Sequence, residues 1–222
     1  MSIFLQKLIS RKAIGLLFVS LFMLSMQSKA QVFWTENLST PAWTLNVPTG
    51  LNDPDANYFS ISDDEGGGIT PNLGAPLSCG VATNGNNSLF ITSGFSFGAA
   101  YNAGGFCVAP LNICVTTNTR AESPIINCTG KINITVDFNY IENGDATLDD
   151  AVLWYFDGIT WSVLSNMPKT LTGCGGQGLW TSYSIVLPAS ANNNPNVQIG
   201  FGWVNNDDGL GTDPLFSVDD IS

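Results

Sequence analysis

Lys131-Ile132-Asn133-Ile134-Thr135-Val136-Asp137-Phe138-Asn139-Tyr140 decides the fold class. Its apolar side chains (Ile132, Ile134, Val136, Phe138, Tyr140) alternate with Asn133, Thr135, Asp137 and Asn139, the period of two that marks a half-buried strand. Working outward, residues 197–204 repeat the pattern through Val197, Ile199, Phe201 and Trp203. Between them, 151–156 and 159–164 flank Asp157-Gly158, a pair suited to a two-residue type I′ turn because both residues tolerate positive φ. Segments 180–187 and 214–221 read as further strands, and 33–36, 43–47, 58–61 and 89–92 as weaker ones. After residue 30 no segment sustains a period of 3.6, and 189–196 is a polar, proline-bounded connection. Many short strands separated by Gly, Asn, Asp and Pro predict an all-β chain, an antiparallel β-sandwich of jelly-roll type, as a single domain over 31–222.

The composition narrows the chemistry. The 222 residues include 11% charged and 11% aromatic side chains, and no histidine. Without histidine there is no Ser-His-Asp or Cys-His nucleophile system and no His-ligated zinc. Lys7, Arg11 and Lys12 precede an apolar run over 13–26, and Ser28-Lys29-Ala30 has the small-x-small form of a cleavage site. Residues 1–30 are therefore expected to be a cleaved signal peptide, the run being shorter than the roughly 20 residues that span a bilayer. Removal takes four of the seven basic residues. Arg120, Lys131 and Lys169 then face 18 acidic residues, a net charge of −15. Such a surface repels nucleic acid and anionic membranes and attracts cations. The mature chain is expected to be secreted, extracellular or at the cell surface, without inserting into a membrane.

Cys79, Cys107, Cys114, Cys128 and Cys174 all come after the signal segment, in a compartment where disulfides persist. An odd count leaves one thiol over, so two disulfides of open connectivity and one spare cysteine are expected. Gly94-Phe95-Ser96-Phe97-Gly98 fits the nucleophile-elbow pattern but has neither a helix after it nor a histidine base. Gly173-Cys174-Gly175-Gly176-Gln177-Gly178 fits a dinucleotide fingerprint, yet residues 179–185 read as strand rather than helix. Both are loops.

The acidic loops are the candidate metal ligands. Asp53-Pro54-Asp55-Ala56-Asn57 sets oxygen side chains at alternate positions, and Asn205-Asn206-Asp207-Asp208-Gly209 forms a second cluster. Tyr58 stands where an EF-hand needs glycine, so that motif is refused. Hard oxygen donors suit Ca²⁺, although Asp and Asn also favour turns on their own account. In the last strand, parity from Phe216 and Val218 places Asp220 on the core side, where a carboxylate needs a partner such as a cation.

Phe33-Trp34-Thr35-Glu36-Asn37-Leu38, Trp43-Thr44-Leu45 and the closing Phe216-Ser217-Val218-Asp219-Asp220-Ile221 resemble the first and last strands of MAM-like jelly-roll modules. Trp154-Tyr155-Phe156-Asp157-Gly158 and Trp203-Val204-Asn205-Asn206-Asp207-Asp208-Gly209 resemble the middle of such modules in bacterial surface proteins exported by the type IX route. The resemblance implies a structural Ca²⁺ shared by Glu36 and Asp219, whereas strand parity favours Asp220. The sequence stops at Ser222, straight after strand-like 216–221, so the chain is expected to be the N-terminal part of a longer protein, an expectation supported by the lack of the C-terminal sorting domain that the resemblance implies.

A non-catalytic adhesion or carbohydrate-binding module is expected from these features, with a polysaccharide or surface glycoprotein as partner. Trp161 and Trp180, set among polar neighbours, are the candidate sugar-stacking residues. A structural spacer in a large surface protein, or an accessory domain of a secreted hydrolase, is the alternative. Carboxylate acid/base chemistry is the remaining enzymatic route. The four glutamates, Glu36, Glu65, Glu122 and Glu142, form no array for it, and Glu142 with Asp145 reads as turn chemistry around Asn143-Gly144.

Overall fold

In a computed structural model, the described residues of the protein form eleven strands and one short 3₁₀ turn. It describes residues 31–39, 42–62, 79–80, 87–94, 98–107, 110, 112–145, 148–170, 179–210 and 216–222. The expected signal segment, Cys174 and the Gly173–Gly178 loop lie outside these, as do three residues of the Gly94–Gly98 motif. Met1–Phe33 separates as one unit and Trp34–Ser222 as another; the strands all belong to the second.

The strands are β1 (Thr44–Pro48), β2 (Tyr58–Ser62), β3 (Cys79–Gly80), β4 (Ser88–Thr92), β5 (Thr117–Glu122), β6 (Thr135–Glu142), β7 (Asp150–Phe156), β8 (Trp161–Asn166), β9 (Leu179–Val186), β10 (Gln198–Asn205) and β11 (Phe216–Asp219). One sheet has the order β1-β5-β10-β7-β8 and the other β2-β4-β11-β6-β9-β3. Every pairing is antiparallel except the two-residue contact of β3 with β9. From β4 to β7 each successive strand changes sheet, and so does each from β8 to β11. This is the winding expected of a jelly roll. The fold is an all-β sandwich, as the alternation in the sequence indicates.

The core lies where the inner faces of the two sheets meet. Ile199, Phe201 and Trp203 of β10 project from the five-stranded sheet. Phe138 of β6 meets Phe201 edge to face at 5.2 Å, and Phe216 of β11 stacks on Trp203 at 6.4 Å. Each such side chain, removed from water on burial, contributes on the order of 2–3 kcal/mol.

Three local expectations need correction. The 157–158 connection is a four-residue loop, with Phe156 paired to Trp161, rather than a two-residue turn. Asp157 keeps negative φ and its Oδ1 accepts from the amides of Ile159 and Thr160, while Gly158 alone takes positive φ. Those bonds to the charged form hold the Asp157 carboxyl below its ordinary range. The 33–36 segment is no strand; it contributes a single bridge, Glu36 to Ile221. Ile132 is exposed, because Asn133 takes a left-handed φ of 54° and breaks the alternation before β6 begins.

Candidate functional site

The outer face of the five-stranded sheet carries the largest aromatic arrangement outside the core among the described residues. Alternation in β7 sends Ala151, Leu153 and Tyr155 inward, so Trp154 and Phe156 point out. Register pairs Phe156 with Trp161 and Trp154 with Val163, placing both β8 residues on that same face. On β10 the outward positions between Ile199, Phe201 and Trp203 are Gly200 and Gly202. Arg120 and Glu122 fill the corresponding positions of β5.

The glycines let the large side chains lie down. A Cβ on Gly200 would stand 2.8 Å from Arg120 Cδ and 3.0 Å from the Trp161 ring; one on Gly202 would stand 2.6 Å from Trp154 Nε1. Across this recess the Arg120 guanidinium sits 4.0 Å from the Trp161 ring centroid and 5.0 Å from that of Trp154. Phe156 extends the layer, 5.2 Å from Trp161 and inclined by 33°. Arg120 also donates through Nε and Nη2 to Glu122 Oε1, at 3.0 and 2.6 Å. Its side chain keeps only 8% of its exposure, whereas Trp154, Phe156 and Trp161 are half-buried. The rings thus form a partly wetted layer over an ion pair.

At the start of β7 the same side chain parity brings Asp150 to a buried network. Lys169 Nζ donates to Glu142 Oε1 at 2.6 Å, to Asp150 Oδ1 at 2.9 Å and to the Asp149 carbonyl at 2.9 Å. Asn166 donates to the other Asp150 oxygen. Glu142 is fully buried, and its Oε2 has no hydrogen-bond partner among the described residues. Burial drives its carboxyl up to about 8; Lys169 opposes the rise, and Asp150 adds to it. One ammonium between two carboxylates neutralises one of them, so the more buried keeps its proton longer. Turn chemistry accounts for Glu142 in part, its Oε1 accepting from Gly144 N at 3.2 Å; the lysine 27 residues on is the closer partner. Full burial also removes it from contact with any glycosidic oxygen.

The acidic loops do meet at one end of the sandwich, through asparagines. Asn57 and Asn205 both donate to the carbonyl of Asn102, tying together the loops that hold Asp53, Asp55 and Asp207. The acids themselves accept from the backbone: Asp53 Oδ2 from Thr116 N, and Asp207 Oδ1 from Gly105 N. Asp55 is half-buried in the same turn. Asp149 joins this end, accepting from Tyr101 Oη at 3.0 Å and Asn206 N at 3.2 Å, and burial raises its carboxyl to about 6. Asp207 also lies beside Cys107 and Cys114, their ligand atoms within 4.8 Å of one another. Those cysteines form a disulfide, so their sulfurs are not the thiolates a metal would take.

In the last strand the parity argument fails. Asp219 is fully buried, while Asp220 is exposed with a left-handed φ of 52° and accepts from Asn139 Nδ2. The left-handed residue turns the chain so that Ile221, rather than Asp220, is buried after Val218, while Asp219, paired with Asn139, is buried on the face opposite Val218. Glu36 N donates to Ile221 O, which sets Glu36 against the residue two along from Asp219. Glu36 Oε1 accepts from Leu38 N, and Asp219 Oδ1 from Asp220 N. Trp180 is also misplaced by its polar neighbours: it is 4% exposed and offers no ring to a ligand. Cys128 is a buried free thiol, whose pKa burial raises. The side chain of Cys79 and all of Cys174 are outside the described residues.

No family model matches the chain, and no curated protein matches it. Twelve solved chains do match, among them the K1 cleaved adhesin domain of Lys-gingipain from Porphyromonas gingivalis W83. It is 13% identical, with a TM-score of 0.45, over 86% of this chain and 96% of that one. No helix among the described residues is long and apolar enough to cross a membrane.

Proposed function

We propose that the protein is a non-catalytic, extracellular adhesion module that binds carbohydrate on the outer face of its five-stranded sheet. The layer formed by Trp154, Phe156 and Trp161 over the Gly200–Gly202 recess carries this reading. A pyranose presents axial C–H groups on one face and hydroxyls at its edge. Partly exposed aromatic rings on a flat sheet offer the matching apolar surface, and tryptophan combines large contact area with little conformational entropy to lose. Trp161 takes the leading place because it touches both Phe156 and Arg120. Among the described carboxylates, the pair drawn together by Lys169 is buried, which favours binding over hydrolysis on this chain.

A structural Ca²⁺ belongs to the same proposal. Glu36 and Asp219 are hard oxygen donors of the kind calcium takes, one half-buried and one fully buried, carried by segments that the Glu36–Ile221 bridge joins. A cation held there would fasten the opening segment to the last strand.

The binding reading is tested by affinity electrophoresis of the purified chain in gels containing soluble polysaccharides. Retardation by at least one polymer is expected, lost in Trp161→Ala and largely kept in Trp161→Phe, with unchanged melting of the phenylalanine variant. A chain that no polysaccharide or glycoprotein retards, or a Trp161→Ala variant retarded as strongly as the parent, would leave a structural spacer as the better reading.

A further inference from the structure

We infer that the outer-face site selects an uncharged saccharide and rejects uronic, sulfated or otherwise anionic glycans; this rests on the proposed binding of carbohydrate there. An anionic sugar needs a cation at the stacking surface, and the geometry has already committed the one that is there. Arg120 directs two N–H groups at Glu122 Oε1, at 3.0 and 2.6 Å, and its guanidinium lies against the rings of Trp161 and Trp154. With 8% of its side chain exposed, it offers no free fork to a carboxylate or sulfate. The other two basic residues beyond residue 30 are elsewhere. Lys169 is held by Glu142 and Asp150, and Lys131 lies in the turn before β6, a strand of the opposite sheet.

What the face presents at its polar edge is a carboxylate. Glu122 keeps 16% of its side-chain exposure, and its contacts to Arg120 use Oε1 alone. A carboxylate accepts hydrogen bonds from sugar hydroxyls and repels anions. The charge of −15 beyond residue 30 adds a long-range penalty against polyanions, felt most at low ionic strength. Rings for the C–H face, an acceptor for hydroxyls and no available cation together describe a site for a neutral hexose or pentose polymer.

The test compares laminarin, galactomannan and xyloglucan with alginate, polygalacturonate and chondroitin sulfate, by affinity electrophoresis and by quenching of tryptophan fluorescence at low salt. At least one neutral polymer is expected to bind roughly tenfold or more tightly than any of the anionic ones. Glu122→Gln, which keeps an oxygen for Arg120 but removes the acceptor's charge and leaves the guanidinium's charge uncompensated, is expected to weaken neutral binding several-fold and to raise affinity for the polyanions. Its melting temperature reports that the sheet is intact. Wild-type preference for the polyanions, abolished by Trp161→Ala, would overturn the selectivity while leaving the carbohydrate reading in place. Glu122→Gln with unchanged affinity for both classes would also overturn it. Binding to neither class would overturn both.

Discussion

Replacing Glu142 by glutamine should remove most of the pH dependence of stability between mild acid and weak base. The carboxyl is fully buried and titrates at about 8 in the folded chain, against an ordinary value of 4.5. Between those values the folded state holds a proton that the unfolded state has released. The stabilisation is complete below about 4.5 and is lost as the pH rises through about 8. Asp149 acts in the same sense over a lower window, from 3.8 to about 6. One proton of difference changes stability by about 1.4 kcal/mol per pH unit, so the full window caps the effect near 5 kcal/mol. The value of about 8 already includes the opposing pull of Lys169, its Nζ being 2.6 Å from Oε1, and a loss of about 2–4 kcal/mol between pH 5 and pH 8 is expected. Urea unfolding at half-unit steps would read it as a falling midpoint at constant slope. Glu142→Gln keeps an oxygen for Lys169 but has no proton to release, so its midpoints should stay nearly level above about pH 6. Wild-type stability that holds or rises from about pH 5 to 8 would refute the reasoning, as would a glutamine variant with the full wild-type slope.

Gly202→Ala places a methyl group 2.6 Å from Trp154 Nε1, so it should lower stability by about 1–3 kcal/mol and shift tryptophan emission. A stabilised variant with unchanged emission would show that there is no recess. Cys128 should resist thiol reagents in the folded chain and react in urea without any reductant, because its side chain is fully buried. Fast labelling under native conditions would contradict that burial. Millimolar Ca²⁺ against EDTA should raise the melting midpoint by several degrees, since filling a site to a hundred times its dissociation constant adds about 2.7 kcal/mol. The shift should vanish in Asp219→Asn and survive in Asp220→Asn; an unshifted wild type would remove the proposed ion.

The legible strands are those whose inward residues are apolar and whose outward residues are polar. Val136, Phe138 and Tyr140 in β6, and Ile199, Phe201 and Trp203 in β10, are buried as their alternation predicts. β5 is illegible for the opposite reason. Its inward residues are Thr117, Thr119 and Ala121, so this strand, paired on both sides, spells a polar string. Its hydroxyls are satisfied locally, Thr117 Oγ1 donating to Val115 O and Thr119 Oγ1 to Val47 O. Parity also breaks where a non-glycine residue takes positive φ, at Asn133 before β6 and at Asp220 after β11. Alternation counts residues and assumes extended backbone; one left-handed residue reverses the count.

The outer-face site has a signal that polar neighbours conceal. Once Ala151, Leu153 and Tyr155 are assigned inward, Trp154 and Phe156 must point out, and a large ring on a solvent face needs an explanation. The second half of the signal is on another strand. Glycine at both outward positions between Ile199 and Trp203 weakens a central strand by roughly 0.5–1 kcal/mol each relative to alanine. That loss is offset where the missing Cβ admits something larger, and here it admits Trp154, Trp161 and the stem of Arg120. Neither strand shows this alone, because the register linking Gly200 to Trp154 and Glu122 is a property of the sheet. Two flat-lying tryptophans could have been buried completely by a loop folded over them. Among the described residues they remain half-exposed, with Val163 open beside them, so the recess holds the rings level with the sheet and leaves their outer faces to solvent. A layer serving only to cover the Arg120–Glu122 pair would not need Phe156, which touches Trp161 and extends the apolar area away from that pair. That extra reach along β7 is the feature a flat, extended ligand would use.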